Sequence, residues 1–405
     1  QPRNKKIWLC ISVSLNLGLL AYFKYANFFI ENINTALARV GIDQLAWTQV
    51  ALPIGISFFT FQTLTYAIEV YRNEHPPFDR PTHYLLYKLI FPHAIAGPII
   101  RFKSVAAQVL DRKETPDDRL LGLFRFAIGL AKKVLIANVL AKQADLYMGG
   151  ELSALGFDEA WLGILAYTFQ IYFDFSGYSD MAIGLARMMG FRFPENFDSP
   201  YTAQSITEFW RRWHITLGAF MRDFLYIPLG GNRVRQKWRL YFNLWLVFLV
   251  SGLWHGASWN FVFWGAFHGL FLILDRLFLL KILEKIGKVP SVLFTFFVVA
   301  MAWVLFRIEN WSDALTFYKQ LFDYKDIKFV ELNNSFILIF LFAIFFSLFG
   351  RTKIGSKAAA FLMVQNPVVS LSNAVLVTVS TILLLFFSIV FLSASDLNPF
   401  IYYRF

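Results

Sequence analysis

Charge is scarce in this chain. Only 16% of its 405 residues are Asp, Glu, Lys or Arg, against 57% hydrophobic and 19% aromatic, and the mean hydropathy is +0.51. Soluble domains carry about 25% charged residues, so an ordinary globular enzyme is excluded. Cysteine is nearly absent. Cys10 stands alone, which rules out a disulfide within the chain and any cysteine-based metal motif. Several enzyme signatures are also missing: a G-x-S-x-G nucleophile elbow, an H-E-x-x-H zinc site, a G-x-G-x-x-G loop, and His followed by four residues and Asp. GRTKIGSK at 350–357 approaches a phosphate loop, but its Ser and Lys are in the wrong order and it reads as a basic loop. No internal repeat is visible, which weakens an inverted-repeat transporter reading. No cleavable signal peptide precedes the first apolar segment.

What is present is apolar sequence of spanning length, recurring along nearly the whole chain. Runs near 7–30, 48–71, 119–147, 160–189, 238–253, 258–280, 290–307, 334–350 and 373–394 read as spans or long buried helices. The fold class is therefore all-α, a polytopic membrane protein in a single integral domain over 1–405. Residues 84–100 are short and broken by Pro92, Gly97 and Pro98, which suits a re-entrant segment. Residues 311–322 read as a short amphipathic helix on one membrane face. The net charge of +11 is spread among apolar helices. It fits positive cytoplasmic loops, above all Arg233, Arg235, Lys237 and Arg239, and not a nucleic-acid surface.

Against this background two histidines stand out. His255 interrupts the apolar run 244–269, and His214 lies upstream in FWRRWH. An ionisable group at membrane depth faces a bundle interior or a water-filled cavity, and histidine exchanges protons near neutral pH. No good covalent nucleophile accompanies them, so general-base activation of a bound hydroxyl or thiol is the simplest task for such a residue. Ser205 and Glu208 form a capping box opening a helix over 205–222, on which Trp210, Trp213, His214, Leu217 and Met221 share one face. Arg211 and Arg212 flank that face. An interfacial helix with a tryptophan belt accounts for the same pattern. Around His255, Gly252 and Gly256 allow close helix approach, and Ser258 and Asn260 add polar groups. His268 reads as structural. Asp174 and Asp180 read as members of a buried ion-pair network, with Arg187 or other arginines as partners. Glu69 invites pairing with Arg72.

The motifs together resemble the membrane-bound O-acyltransferase (MBOAT) family, in the branch serving bacterial polysaccharide O-acetylation. The matching stretches are PIGISFFTFQTLTY (53–66), FPHAIAGPIIRF (91–102), FQIYFDFSGYSDMAIG (169–184), FRFPENFDSPY (191–201), SITEFWRRWHITL (205–217), FLYIPLGGNR (224–233), GLWHGASWNFVFWGAFHG (252–269) and PFIYYRF (399–405). The resemblance implies a helical fold around a central funnel or tunnel with re-entrant helices, in a chain lacking its first spans. It places the family's catalytic histidine at His255 and its second site position at His214. It further implies acetyl-CoA as cytosolic donor, with no permanently bound cofactor and no metal. Trp210, Arg211, Arg212, Trp213, Arg233, Ser258 and Asn260 are then candidate substrate contacts, the arginines for the donor phosphates. The implied setting is the bacterial inner membrane, among lipids, with a periplasmic SGNH-type acetyltransferase and a polysaccharide acceptor. A proton-coupled transporter or flippase is the alternative reading.

Overall fold

The computed structural model describes residues 2–93, 97–363, 369–394 and 399–400, and among these it contains helices and no strand. In chain order the helices are α1 (Pro2–Arg39), α2 (Ile56–Tyr71), α3 (Pro81–Leu89), α4 (Phe102–Leu110), α5 (Pro116–Ala131), α6 (Asn138–Met148), α7 (Phe157–Met188), α8 (Ile206–Arg212), α9 (Ile215–Met221), α10 (Lys237–His255), α11 (Trp259–Leu274), α12 (Leu280–Ile286), α13 (Lys288–Arg307), α14 (Trp311–Phe322), α15 (Asn334–Phe349), α16 (Lys353–Met363) and α17 (Leu371–Ser393). Three of them are long and apolar enough to cross a bilayer, over Asn4–Arg39, Lys288–Arg307 and Leu371–Ser393. The pair α15 and α16, bent by 72°, qualifies together as a broken or re-entrant span. Among the described residues, the remaining expected spans fall short of that criterion as single helices. The run from 119 is broken by a π turn at Lys132–Ala137, and the helix expected from 48 starts only at Ile56, after a left-handed Gly55 (φ 75°).

The broken character of 84–100 is confirmed: α3 stops at Leu89, a short 3-10 turn covers Phe91–His93, and Pro98–Arg101 is not helical. The stretch 94–96 and the terminal residues 401–405, both within matched motifs, lie outside the described residues.

The packing centre is the α5–α7 pair. Gly122 and Gly129 of α5 meet Gly184 and Gly177 of α7, so closely that a Cβ at Gly122 would stand 2.7 Å from the Gly184 carbonyl oxygen. Small residues seven apart on both helices let the backbones approach without intervening side chains. That contact buries charge, and the chain neutralises it internally. Arg125 reaches Asp180 at 2.9 Å and also binds Glu195, Lys132 reaches Asp180 at 2.6 Å, and Lys133 reaches Asp174 at 2.6 Å. Asp174 and Asp180 therefore belong to an ion-pair network, as expected. The anticipated partner Arg187 serves Asp118 instead, at 3.2 Å. Glu69 likewise pairs with Arg101 (3.1 Å) and the Lys103 amide (2.7 Å), because its side chain points inward while Arg72 is exposed at the end of α2. Breaking such buried pairs on one side is costly, so these charges hold the scaffold on which the histidines sit.

Candidate active site

His255 occupies the last turn of α10. The chain then leaves the helix in an extended Gly256 and re-enters helix at Trp259. The α10–α11 hairpin closes because Gly252 and Gly265 face each other: a Cβ on Gly252 would overlap the Phe261 carbonyl oxygen and come within 3.0 Å of the Gly265 Cα. Gly256 is approached by the Phe261 ring and not by a backbone. Ring Nδ1 of His255 lies 2.6 Å from the Ser251 carbonyl oxygen. A carbonyl only accepts, so Nδ1 carries the proton and Nε2 is the basic nitrogen.

His214 reaches the same region by a route that periodicity does not show. The segment 205–222 is not one helix. α8 ends at Arg212, α9 begins at Ile215, and His214 between them is left-handed (φ 44°, ψ 53°). The shared face over Trp210, Trp213, His214, Leu217 and Met221 is thereby lost. A non-glycine residue in this region costs on the order of 1 kcal/mol, and Asn196 supplies the compensation. Its carbonyl accepts from the Ile215 amide (3.0 Å), and its side-chain oxygen accepts from the Thr216 amide (3.3 Å) and hydroxyl (2.8 Å). The Thr216 amide only donates, which fixes the Asn196 side chain with Oδ1 toward it. The same Oδ1 lies 3.0 Å from His214 Nδ1. His214 is therefore also protonated on Nδ1 and basic on Nε2.

Both imidazoles border one indole. The Trp254 ring centroid lies 4.8 Å from that of His255 and 6.3 Å from that of His214, and the indole is stacked on Phe61 at 5.3 Å. His255 further contacts Trp264 at 4.9 Å, which contacts His268 at 5.0 Å. The His268 tautomer is the opposite one. Its Nδ1 accepts from the Trp210 indole N–H (3.2 Å), which can only donate, so its proton sits on Nε2. Along this row of rings, His214 Nε2, Trp254 Nε1, Trp264 Nε1 and His268 Nε2 are buried without a hydrogen-bond partner among the described residues. Each such atom costs about 1–3 kcal/mol when left unpaired. They cluster around the two imidazoles whose Nδ1 atoms are held.

A sequence profile of the membrane-bound O-acyltransferase family matches residues 80–282, which contain both histidines. The chain is 42% identical to the "Probable alginate O-acetylase AlgI" of Pseudomonas putida, over 98% of this chain and 84% of that protein. This chain belongs to the membrane-bound O-acyltransferase family. It is 45% identical to the protein of the same name from Pseudomonas aeruginosa, over 83% of this chain and 64% of that protein. It is 38% identical to the peptidoglycan O-acetyltransferase of Helicobacter pylori, over 82% of this chain and 67% of that protein.

Within this acyltransferase the other candidate residues separate by environment. Trp213 is buried between Phe209 (5.5 Å) and Trp303 (5.0 Å), and Trp210 donates to His268. Arg212 is paired with Glu208 at 2.6 Å and with Asp198 at 2.9 Å. Glu208 caps its helix one residue further back than expected, on the Gln204 amide (2.8 Å), while Ser205 accepts from the Glu208 amide as anticipated. Arg211 and Arg233 are exposed and enter no ion pair among the described residues. Ser258 precedes α11 without a side-chain cap. Asn260 is buried and bonds the Ile308 carbonyl at 2.5 Å, tying α11 to the end of α13. No group of three metal-ligating side chains occurs among the described residues.

Sequence reasoning missed Asn196, although it lies inside a quoted motif. It bonds the His214 ring, the Ile215 and Thr216 amides, the Thr216 hydroxyl and Ser179 at once. Asn196→Ala is expected to lower turnover about tenfold to a hundredfold with milder loss of stability, since removing a group that orients a base misplaces it without deleting it. Steady-state kinetics of the purified variant beside a thermal-shift curve check this.

Proposed function

We propose that this enzyme moves acetyl groups from cytosolic acetyl-CoA across the bacterial inner membrane for O-acetylation of a cell-envelope polysaccharide such as peptidoglycan, alginate or another exopolysaccharide. In this reading a periplasmic SGNH-type acetyltransferase receives the group. The observation that carries the reading is the pair of buried imidazoles around Trp254, each held by Nδ1 with Nε2 as the base. The names of the relatives from Pseudomonas and Helicobacter supply the acyl group and the acceptor class.

The proposed step runs as follows. His255 Nε2 takes the proton of the acceptor hydroxyl as its oxygen attacks the thioester carbonyl. The tetrahedral intermediate collapses by breaking the C–S bond. The thiolate leaves with the proton that His255 acquired, so atoms and charge balance. The His214 tautomer leaves Nε2 an acceptor, which suits orienting the acceptor molecule through another of its O–H or N–H groups, because the reacting hydroxyl's one proton goes to His255. Polarising the thioester carbonyl needs a donor, and the buried Trp254 indole N–H is our candidate for it. Arg211 and Arg233, uncommitted and exposed, are candidates for the donor phosphates.

Purified full-length protein incubated with acetyl-CoA tests the reading. Free CoA should appear, faster when a periplasmic acceptor protein is supplied. A transporter or flippase would give substrate flux with no thioester cleavage, and absence of CoA release would sink the proposal.

A further inference from the structure

α1 crosses the described structure mostly exposed, yet one face of it grips the turn that carries His255. Lys24 donates to the carbonyl oxygens of Trp254 and of His255, the latter at 3.2 Å. Its ammonium also lies 5.8 Å from the centre of the Trp254 ring. Tyr25 donates its hydroxyl to the Leu253 carbonyl at 2.8 Å. On the far side of the turn, the Trp259 indole donates to Asn32 at 2.8 Å, and Phe28 meets the Trp259 ring at 5.7 Å. Positions 24, 25, 28 and 32 fall on one helical face.

The last carbonyls of a helix have no partner within it and carry its negative dipole end. In α10 three of them, on consecutive residues 253–255, are met by side chains of a helix more than two hundred residues away in sequence. Lys24 is the one charged residue between Ile7 and Ile30 of this apolar helix, and such a charge is expensive unless it has a task of this kind. The Asn32 contact holds the first residue of α11, so both ends of the Gly256–Ser258 connection are fixed to the same rod.

We infer that α1 is a splint for the catalytic turn, with Lys24 and Tyr25 as positioning residues that set the direction of His255 through its backbone. The splint presupposes the acyl-transfer reading only in assigning His255 its catalytic task. The mechanical claim stands separately.

The test uses the full chain and two kinds of readout. Hydrogen exchange reports the geometry without any donor. Lys24→Met and Tyr25→Phe should each speed amide exchange in peptides covering 252–257 and leave α5–α7 peptides unchanged. Steady-state acetyl-CoA turnover reports the consequence. Lys24→Met should lower kcat about tenfold or more with KM changed less than about twofold, since misplacing a base by a fraction of an ångström acts on the chemical step. Lys24→Arg, which can still donate to two carbonyls, should recover most of it. Tyr25→Phe keeps the packing and guards against simple unfolding. Unchanged exchange at 252–257 in both variants would overturn the splint. So would a Lys24→Met loss that Lys24→Arg fails to recover. If exchange rises as stated while wild-type protein releases no CoA, the splint holds and the donor assignment fails.

Discussion

His255→Ala is expected to abolish detectable acetyl transfer, a loss of roughly 10²–10⁴-fold for removal of a general base, while the protein still purifies and folds. The His255 ring bonds Ser251 one turn back in the same helix; truncation removes its ring contact with Trp264 of α11 but not the Gly252–Gly265 approach that closes the hairpin. His255→Gln separates the explanations. Glutamine retains bulk and a donor to the Ser251 carbonyl but cannot take a proton near neutral pH. Turnover as low as that of the alanine variant identifies proton transfer as the lost function. Glutamine activity near wild type would remove His255 from the base role. The measurement is CoA release under saturating donor, beside a size-exclusion profile to establish the folded state.

Gly252→Ala is the second large effect, and it acts on structure first. One methyl group at Gly252 collides with the Phe261 carbonyl oxygen and crowds the Gly265 backbone. Backbone cannot rotate away as a side-chain end can, so the hairpin must open. Overpacking of this kind costs about 1–3 kcal/mol, and more where nothing can yield. An apparent melting point lower by about 1–4 °C is expected. Turnover should fall by about tenfold or more, because His255 sits three residues further along the displaced helix. A variant with wild-type melting and turnover would show that the helices do not pack as described. Comparing it with His255→Ala distinguishes a site lost by displacement from one lost by deletion.

Much of this site is legible from composition and spacing. The apolar run around His255 announces a buried ionisable group, and Gly252 announces the close approach that the hairpin requires. The Asp174 and Asp180 network was legible in kind, and an arginine other than Arg187 does pair with Asp180, but which one was not: the carboxylates face α5 and its π turn, where Lys132, Lys133 and Arg125 project, and Arg187 faces Asp118. Lys24 carried a readable signal, a single cation in a long apolar segment, and its target was not readable, since the carbonyls it meets lie at the other end of the sequence. His214 shows the limit most clearly. Its helix signals are sound, and Ser205 does cap α8. The break at Trp213–His214 follows from Asn196, whose four hydrogen bonds to residues 214–216 hold the left-handed turn.

The sequence by itself determined that this is an all-helical membrane protein with a histidine buried at depth, because the hydrophobic effect and the cost of unpaired backbone leave few other solutions for such a composition. Its motifs also determined the acyltransferase family, through residues that lie in the right order along the chain. Only the tertiary structure decided which nitrogen of each histidine is basic, that His214 joins His255 around Trp254 instead of lining an interfacial helix, and that α1 bonds the turn carrying His255. Those properties belong to hydrogen bonds between residues far apart in sequence, and periodicity records only what one element does alone.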